Sequence, residues 1–252
     1  MTILHALILG LVEGLTEFLP VSSTAHLLLG SYVLGIPDWE FVETFVVFIQ
    51  IGAMGAVLLL SWQSFLKRAL LSRILVAFVP TAIIGLLLHN IVHDFFFDSL
   101  IVIVCALVLG SVLILLVDRK KNQESLLDLA QVSHKKFFLI GVFQSLAIIP
   151  GVSRSLASMF GGVTVGLSKK DAVLFSFLLA VPTIGAAGLY DLSKSSVAFL
   201  PHTYELAIGF LVSFVVAYYV MKWFISFIQE KSLWYFAVYR IILAILILIF
   251  LI

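Results

Sequence analysis

Six stretches of this chain run for about twenty residues with almost no charge: 41–62, 72–91, 99–117, 171–190, 204–225 and 233–252. A helix of roughly 20 apolar residues crosses the hydrocarbon core of a bilayer, so a chain with six such runs is expected to be a polytopic membrane protein. Composition agrees, since 62% of the 252 residues are hydrophobic and only 12% are charged, with a mean hydropathy of +1.20. A water-soluble domain, at roughly 45–50% apolar, has no means of hiding that much apolar surface. The formal net charge of +1 and the lack of a basic recognition helix or base-stacking platform exclude nucleic acid as a partner. The single cysteine, Cys105, lies inside an apolar run and rules out an intrachain disulfide. The N-terminus carries no basic leader and its apolar stretch is interrupted by Glu13 and Glu17, so residues 1–15 are expected to be retained structure.

Two further apolar stretches, 3–35 and 137–166, are interrupted. The first contains Glu13, Gly14, Glu17, Pro20, Ser22, Ser23 and Thr24, and the second contains Gln144, Pro150, Gly151, Ser153, Arg154, Ser155 and the pair Gly161 and Gly162. Proline removes a backbone donor and glycine loosens a helix, so each stretch is expected to break near its middle. Lys and Arg of short loops favour the cytoplasm. Loop 63–73 (Lys67, Arg68, Arg73), loop 118–136 (Arg119, Lys120, Lys121, Lys135, Lys136) and turn 168–170 (Lys169, Lys170) are therefore placed inside, and loop 89–98 and segment 35–43, without Lys or Arg, outside. On that sidedness the second broken stretch starts and ends inside as a re-entrant hairpin. The first is its counterpart from the opposite face, with an external N-terminus.

The expected fold is all-α: six transmembrane helices plus two re-entrant helical hairpins in an inverted-topology repeat within a single integral membrane domain. Residues 1–117 form repeat one, with hairpin 3–35 and three spans. Residues 118–252 carry a cytoplasmic loop and repeat two, with hairpin 137–166 and three spans. The sequence GLVEGL at 10–15, followed by Leu19, Pro20, Val21, Ser22, Ser23 and Thr24, is echoed by GVFQSL at 141–146, followed by IPGVSRS at 149–155. In such repeats the breaks mark the binding site.

Ionisable residues at membrane depth are costly and functional by default, and Glu13, Glu17, His26 and Arg154 stand out. Glu13 and Glu17 are four apart and share a helix face. Two adjacent carboxylates repel unless a cation or shared proton lies between them; hard oxygens suit Mg²⁺ or Ca²⁺, and a polar pair facing an aqueous vestibule is the bland alternative. Ser22, Ser23 and Thr24 are capping residue types, so a helix is expected to begin there, offering free N–H groups to an anion. Ser23 and His26 are three apart, which sets a hydroxyl and an imidazole on one face for base-assisted attack or leaving-group protonation. In the second stretch Gly151, Ser153, Ser155 and Ser158 supply a phosphate cradle and Arg154 a guanidinium that grips phosphate oxygens bidentately. His89, His93, Asp94 and Asp98 are read as an external polar loop rather than a metal cluster.

The motifs EGLTEFLPVSSTAH at 13–26 and PGVSRS at 150–155, with FIQIGA at 48–53, FSFLLAVP at 175–182 and Tyr239-Arg240-Ile241, resemble the undecaprenyl-diphosphatase family associated with bacitracin resistance. The likeness runs nearly end to end. It implies hydrolysis of undecaprenyl diphosphate, a polyprenyl diphosphate lipid, to undecaprenyl phosphate and inorganic phosphate. That reaction recycles the carrier for cell-wall polysaccharide in the cell (plasma or inner) membrane, with the active site open to the external, periplasmic face. By the resemblance Ser23 is nucleophile or phosphate ligand, His26 the acid/base, Arg154 the phosphate clamp, with Glu17 in the catalytic set. Ser22, Thr24, Gly151, Ser153, Ser155 and Ser158 would bind phosphate, and Glu13 and Glu17 a divalent cation. Serine and water remain alternative nucleophiles, and a homodimer is one of the assemblies left open. The family usually has glycine and threonine where this chain has Leu156 and Ser158, and a leucine there is expected to reshape the second hairpin or narrow the site. The competing function is a polyprenyl-phosphate flippase without hydrolysis, which needs an anion site but no catalytic serine and histidine.

Overall fold

The computed structural model describes residues 1–36, 40–96, 99–119, 129, 132–195 and 199–251, without the side chains of Glu40 and residues 89–96. Ten α-helices and no strand occur among the described residues. They are α1 (Ile3–Thr16), α2 (Ser23–Val33), α3 (Glu40–Leu66), α4 (Arg68–Phe96), α5 (Leu100–Arg119), α6 (His134–Gln144), α7 (Arg154–Thr164), α8 (Lys169–Lys194), α9 (Thr203–Glu230) and α10 (Trp234–Leu251). Six segments are long and apolar enough to cross a membrane, and they match the six apolar stretches: Phe41–Leu66, Arg68–Leu88, Leu100–Arg119, Lys169–Lys194, Leu200–Glu230 and Trp234–Leu251. The chain is a multi-pass membrane protein.

Two segments expected as loops are largely helical among the described residues. At 63–73, α3 runs to Leu66 and α4 starts at Arg68, leaving only Lys67 between them. At 89–98 the backbone stays helical to Phe96. Neither segment contains a glycine or proline, and polar side chains alone do not stop a helix whose backbone bonds continue. The side chains of His89, His93 and Asp94, and all of Asp98, Asp38, Lys120 and Lys121, lie outside the described residues.

Both interrupted stretches break where expected, and the two breaks share one backbone device. After α1 the chain turns through Pro20, and Ser22 caps α2 by accepting from the Ala25 N–H at 3.4 Å. After α6 a 3₁₀ turn, Ser145–Ile148, leads through Pro150 and Gly151, and Ser153 caps α7 by accepting from the Leu156 N–H at 3.3 Å. Ser22 sits at φ 73° and Ser153 at φ 72°, the only positive-φ residues other than glycine among those described. Each costs about 1–3 kcal/mol of backbone strain, which the cap offsets in part. Gly151 is at φ +93°, and a Cβ there would lie 2.8 Å from the Ile103 carbonyl oxygen, so both conformation and space demand glycine.

The principal packings map onto one another when α1 to α5 are exchanged with α6 to α10. Helix α1 packs on α9 as α6 packs on α4, α3 on α9 as α8 on α4, and α5 pairs with α10 and α3 with α8. The exceptions are α7 on α8, α1 on α3 and α5 on α7, which α2 and α3, α6 and α8, and α10 and α2 do not match. The echoed glycines follow the same exchange: a Cβ on Gly10 would lie 2.8 Å from the Gly209 carbonyl oxygen of α9, and one on Gly141 would overlap the Ala77 carbonyl oxygen of α4. Hydrocarbon offers no hydrophobic drive between helices, so close backbone approach through small residues and interhelical hydrogen bonds hold them together. Ser213 Oγ, for instance, donates to the Ile49 carbonyl at 2.6 Å. Large aliphatic side chains such as Leu86, Leu109 and Ile249 point outward.

Gln144, which occupies the place of Glu13 in the echo, has become a fastener. Its Nε2 donates to Thr81 Oγ1 and Thr183 Oγ1, each at 3.0 Å, and so ties α6 to α4 and α8. Leu156 is fully buried in the main apolar cluster with Phe18, Phe175 and Phe177. The extra side chain is absorbed by the core, and the turn before it keeps the backbone of its counterpart in the first stretch.

Candidate active site

The two breaks meet. Ser155 Oγ donates to the Leu19 carbonyl at 2.8 Å, and Ser153 Oγ to the same oxygen at 3.4 Å, so the second tip is fastened to the first by hydrogen bonds. Behind both tips lies Arg240 of α10, whose side chain is 0% exposed. Its guanidinium donates to the carbonyls of Pro20 (Nη1, 3.1 Å) and Gly151 (Nη2, 2.9 Å), one in each tip, and to those of Ala106 (2.9 Å) and Leu107 (3.1 Å) in α5. A Cβ on Gly110 would overlap the guanidinium, so that glycine makes the room it occupies.

On this platform the chemistry-bearing side chains from the two tips converge. Arg154, the first residue of α7, donates through Nη2 to Glu17 Oε1 at 2.7 Å and through Nη1 to the Ser176 carbonyl at 3.1 Å, and it lies over the Phe18 ring. Ser23, the first residue of α2, donates from Oγ to Glu17 Oε2 at 2.7 Å. Glu17 is therefore the hub, one oxygen on the arginine and the other on the serine. Arg154 Nε is buried without a hydrogen-bond partner, as are both carboxylate oxygens of Glu13, which is 0% exposed.

His26 is placed differently from the sequence expectation. Spacing set it beside Ser23, yet Ser23 turns to Glu17, and His26 bonds to the Ser22 carbonyl through Nδ1 and to the Tyr239 hydroxyl through Nε2, both at 2.6 Å. The reason lies in the reversal at Pro20, which folds α1 back against α2 and offers the serine a carboxylate from across the turn. Spacing along one helix does not see that contact.

The remaining expected residues divide. Ser22 and Ser153 cap the helices, and Thr24 is half-buried in the first turn of α2. The Gly151 carbonyl is held by Arg240. Ser155 is used on Leu19, and Ser158 is buried and bonds to Ser176 Oγ at 2.7 Å. Both hydroxyls thus join α7 to its neighbours, a use that differs from the phosphate contact read from sequence. Two residues of the site escaped the residue-by-residue reading, Tyr239 and Arg240. The signal was present, because Arg240 is the only charged residue of Trp234–Leu251, and a charge at membrane depth is a functional residue by default.

Chemically, the arrangement provides an arginine whose buried Nε has no partner, two helix starts whose first amides have no intrahelical partner, a hydroxyl bonded to a carboxylate, and a second carboxylate with free oxygens. That suits an anionic phosphate and its transfer. As a donor set for a divalent cation, the unpartnered oxygens of Glu13 beside Glu17 fit in charge and hardness, although among the described residues no group of three or more His, Cys, Asp and Glu is gathered as a metal cage.

Comparison with known proteins points the same way. The chain is 46% identical over 249 residues to a protein of Sulfurihydrogenibium sp. named undecaprenyl-diphosphatase, covering 98% of both chains. It is 43% identical over 246 residues to one of that name in Aquifex aeolicus, covering 96% of each, and 42% identical over 255 residues to one in Bdellovibrio bacteriovorus, covering 100% of this chain and 97% of the relative. The family model of the bacitracin resistance protein BacA matches residues 6–246, a span that takes in both tips and the part of α10 that carries Tyr239 and Arg240. From first hairpin to last helix, this chain belongs to the BacA family of bacitracin resistance proteins.

Proposed function

We infer that this protein hydrolyses undecaprenyl diphosphate to undecaprenyl phosphate and inorganic phosphate, regenerating the lipid carrier for cell-wall polysaccharide. The observation that carries the reading is the three-residue junction of Ser23, Glu17 and Arg154 across the two tips, in a family whose relatives bear the name undecaprenyl-diphosphatase. Arg154 holds the terminal phosphate with its unused donor, assisted by the amides at the starts of α2 and α7. Ser23 gives its proton to Glu17 and attacks phosphorus, and the lipid phosphate leaves; water then frees the serine. The Ser23–Glu17 bond favours the serine over a water as first nucleophile. Glu13 and Glu17 would hold a Mg²⁺ or Ca²⁺ ion, which would supply positive charge to the diphosphate oxygens.

Purified protein given undecaprenyl diphosphate in detergent micelles should release phosphate, lose that activity in chelator and regain it with Mg²⁺ or Ca²⁺, and Glu13→Gln should demand more cation. Full activity in chelator would remove the cation from the scheme. Protein that moves the lipid across a vesicle without releasing phosphate would be a flippase, and the hydrolase reading would be lost.

We place the site at the external face of the cell membrane, with α1–α2 and α6–α7 as re-entrant hairpins entering from opposite sides in an inverted repeat. Support comes from the exchange of packings between the halves and from Lys169 and Lys170 at the start of α8. In a Cys105→Ser background, Lys194→Cys should react with a membrane-impermeant maleimide on intact cells, and Lys170→Cys only after lysis. The reverse pattern would invert the orientation.

A further inference from the structure

Tyr239 and His26 are residues of this site for which the reaction above has no role, and their contacts are specific. A carbonyl oxygen only accepts, so the 2.6 Å contact between His26 Nδ1 and the Ser22 oxygen places a proton on Nδ1. Nε2 is then the only nitrogen through which the ring exchanges a proton, and it lies 2.6 Å from the Tyr239 hydroxyl. The two rings are parallel to within 3° at a centroid separation of 5.5 Å. His26 is half-buried, whereas Tyr239 is 44% exposed. The imidazole is thus held at both ends, and its route outward runs through the phenol oxygen. Ser22, which supplies the inner hold, is itself fixed in its positive-φ cap.

We propose that Tyr239 is the terminal hydroxyl of a two-residue proton relay, so that His26 serves the reaction through Tyr239 rather than by touching the lipid itself. With His26 as imidazolium, Nε2–H donates to the phenol oxygen and the phenol proton points outward. As the P–O bond of the diphosphate breaks, its electron pair settles on the oxygen of the departing lipid phosphate, and that oxygen takes the phenol proton. Nε2 then returns its proton to the phenol oxygen, leaving neutral imidazole and neutral phenol. The imidazolium is restored when His26 takes up a proton from water through the same hydroxyl. This relay rests on the hydrolase reading.

The test is Tyr239→Phe, which keeps the stacked ring and deletes one oxygen. The expected result is a fall in kcat of about 100-fold, the lower end of general acid–base assistance, with KM within about twofold of wild type and an unchanged melting temperature. In a His26→Gln background, followed by long single-turnover incubations, adding Tyr239→Phe should cost less than about twofold more, because two groups acting as one unit are not additive. A wild-type kcat in Tyr239→Phe, or an undiminished further loss in the His26→Gln background, would overturn the relay alone. Wild-type protein that releases no phosphate would overturn the hydrolase reading and the relay with it.

Discussion

Replacing Arg154 with alanine should lower the rate of phosphate release by about a thousandfold at saturating lipid, close to 4 kcal/mol of transition-state stabilisation. The size follows from what the guanidinium does in two places at once. It would meet the developing charge on the transferred phosphoryl group, where arginines contribute about 10³–10⁵ in rate, and it holds Glu17, whose other oxygen receives the Ser23 hydroxyl. Without the arginine the carboxylate is free to turn away from the serine, so clamp and nucleophile fail together. Arg154→Lys should recover only a small part of the rate, because a point charge on a flexible stem reproduces neither the two-pronged hold on Glu17 and the Ser176 carbonyl nor the remaining donor at Nε. Initial phosphate release, measured on variants whose melting temperature in detergent confirms a folded chain, checks this. Arg154→Ala working within about threefold of wild type would remove the arginine from the reaction.

How far the sequence discloses this site depends on which contacts are local. The spans are legible because crossing a bilayer needs length and apolarity, both properties of uninterrupted sequence; α5, with no charge before Asp118, is the plainest case. The breaks are legible for an equally local reason, since Pro20 and Pro150 withdraw backbone donors and Ser22 and Ser153 are residues that cap. The pairing of Arg154 with Glu17 is only half legible, since Glu13 stands in the same apolar stretch and on sequence alone is as good a partner. The partner of Ser23 was not legible: its distance along α2 favours His26, and only the chain reversal brings Glu17 to it. Nor was the double use of the second tip's hydroxyls, because Ser155 and Ser158 look like phosphate ligands until Leu19 and Ser176 are seen beside them. Helix α10 carries the largest omission. Its Tyr239 and Arg240 act on groups 89 to 220 residues away in sequence, and an isolated Arg in an 18-residue apolar helix is the sole local trace of that role.

Arg240 carries the second large effect, of a different kind from that of Arg154. Arg240→Met keeps much of the side-chain volume and deletes the four hydrogen bonds to Pro20, Gly151, Ala106 and Leu107. The last two carbonyls lie inside α5 and keep their helical partners; those of Pro20 and Gly151 stand in turns and have no such alternative. A buried carbonyl left without a donor costs about 1–3 kcal/mol, so the two together, with imperfect packing of the methionine, should destabilise the protein by about 3–5 kcal/mol, seen as a melting temperature lower by roughly 10 °C. Because the same two carbonyls belong to opposite tips, loss of the guanidinium also frees Ser23 and Arg154 to drift relative to one another, and turnover should fall along with stability. Arg154→Ala, by contrast, should take its main toll on turnover. Gly110→Ala supplies an independent check without touching Arg240: a Cβ at that position would overlap the guanidinium, so it should reproduce the same paired loss of stability and rate. Native melting and native turnover in both Arg240→Met and Gly110→Ala would show that the tips hold their register without α10.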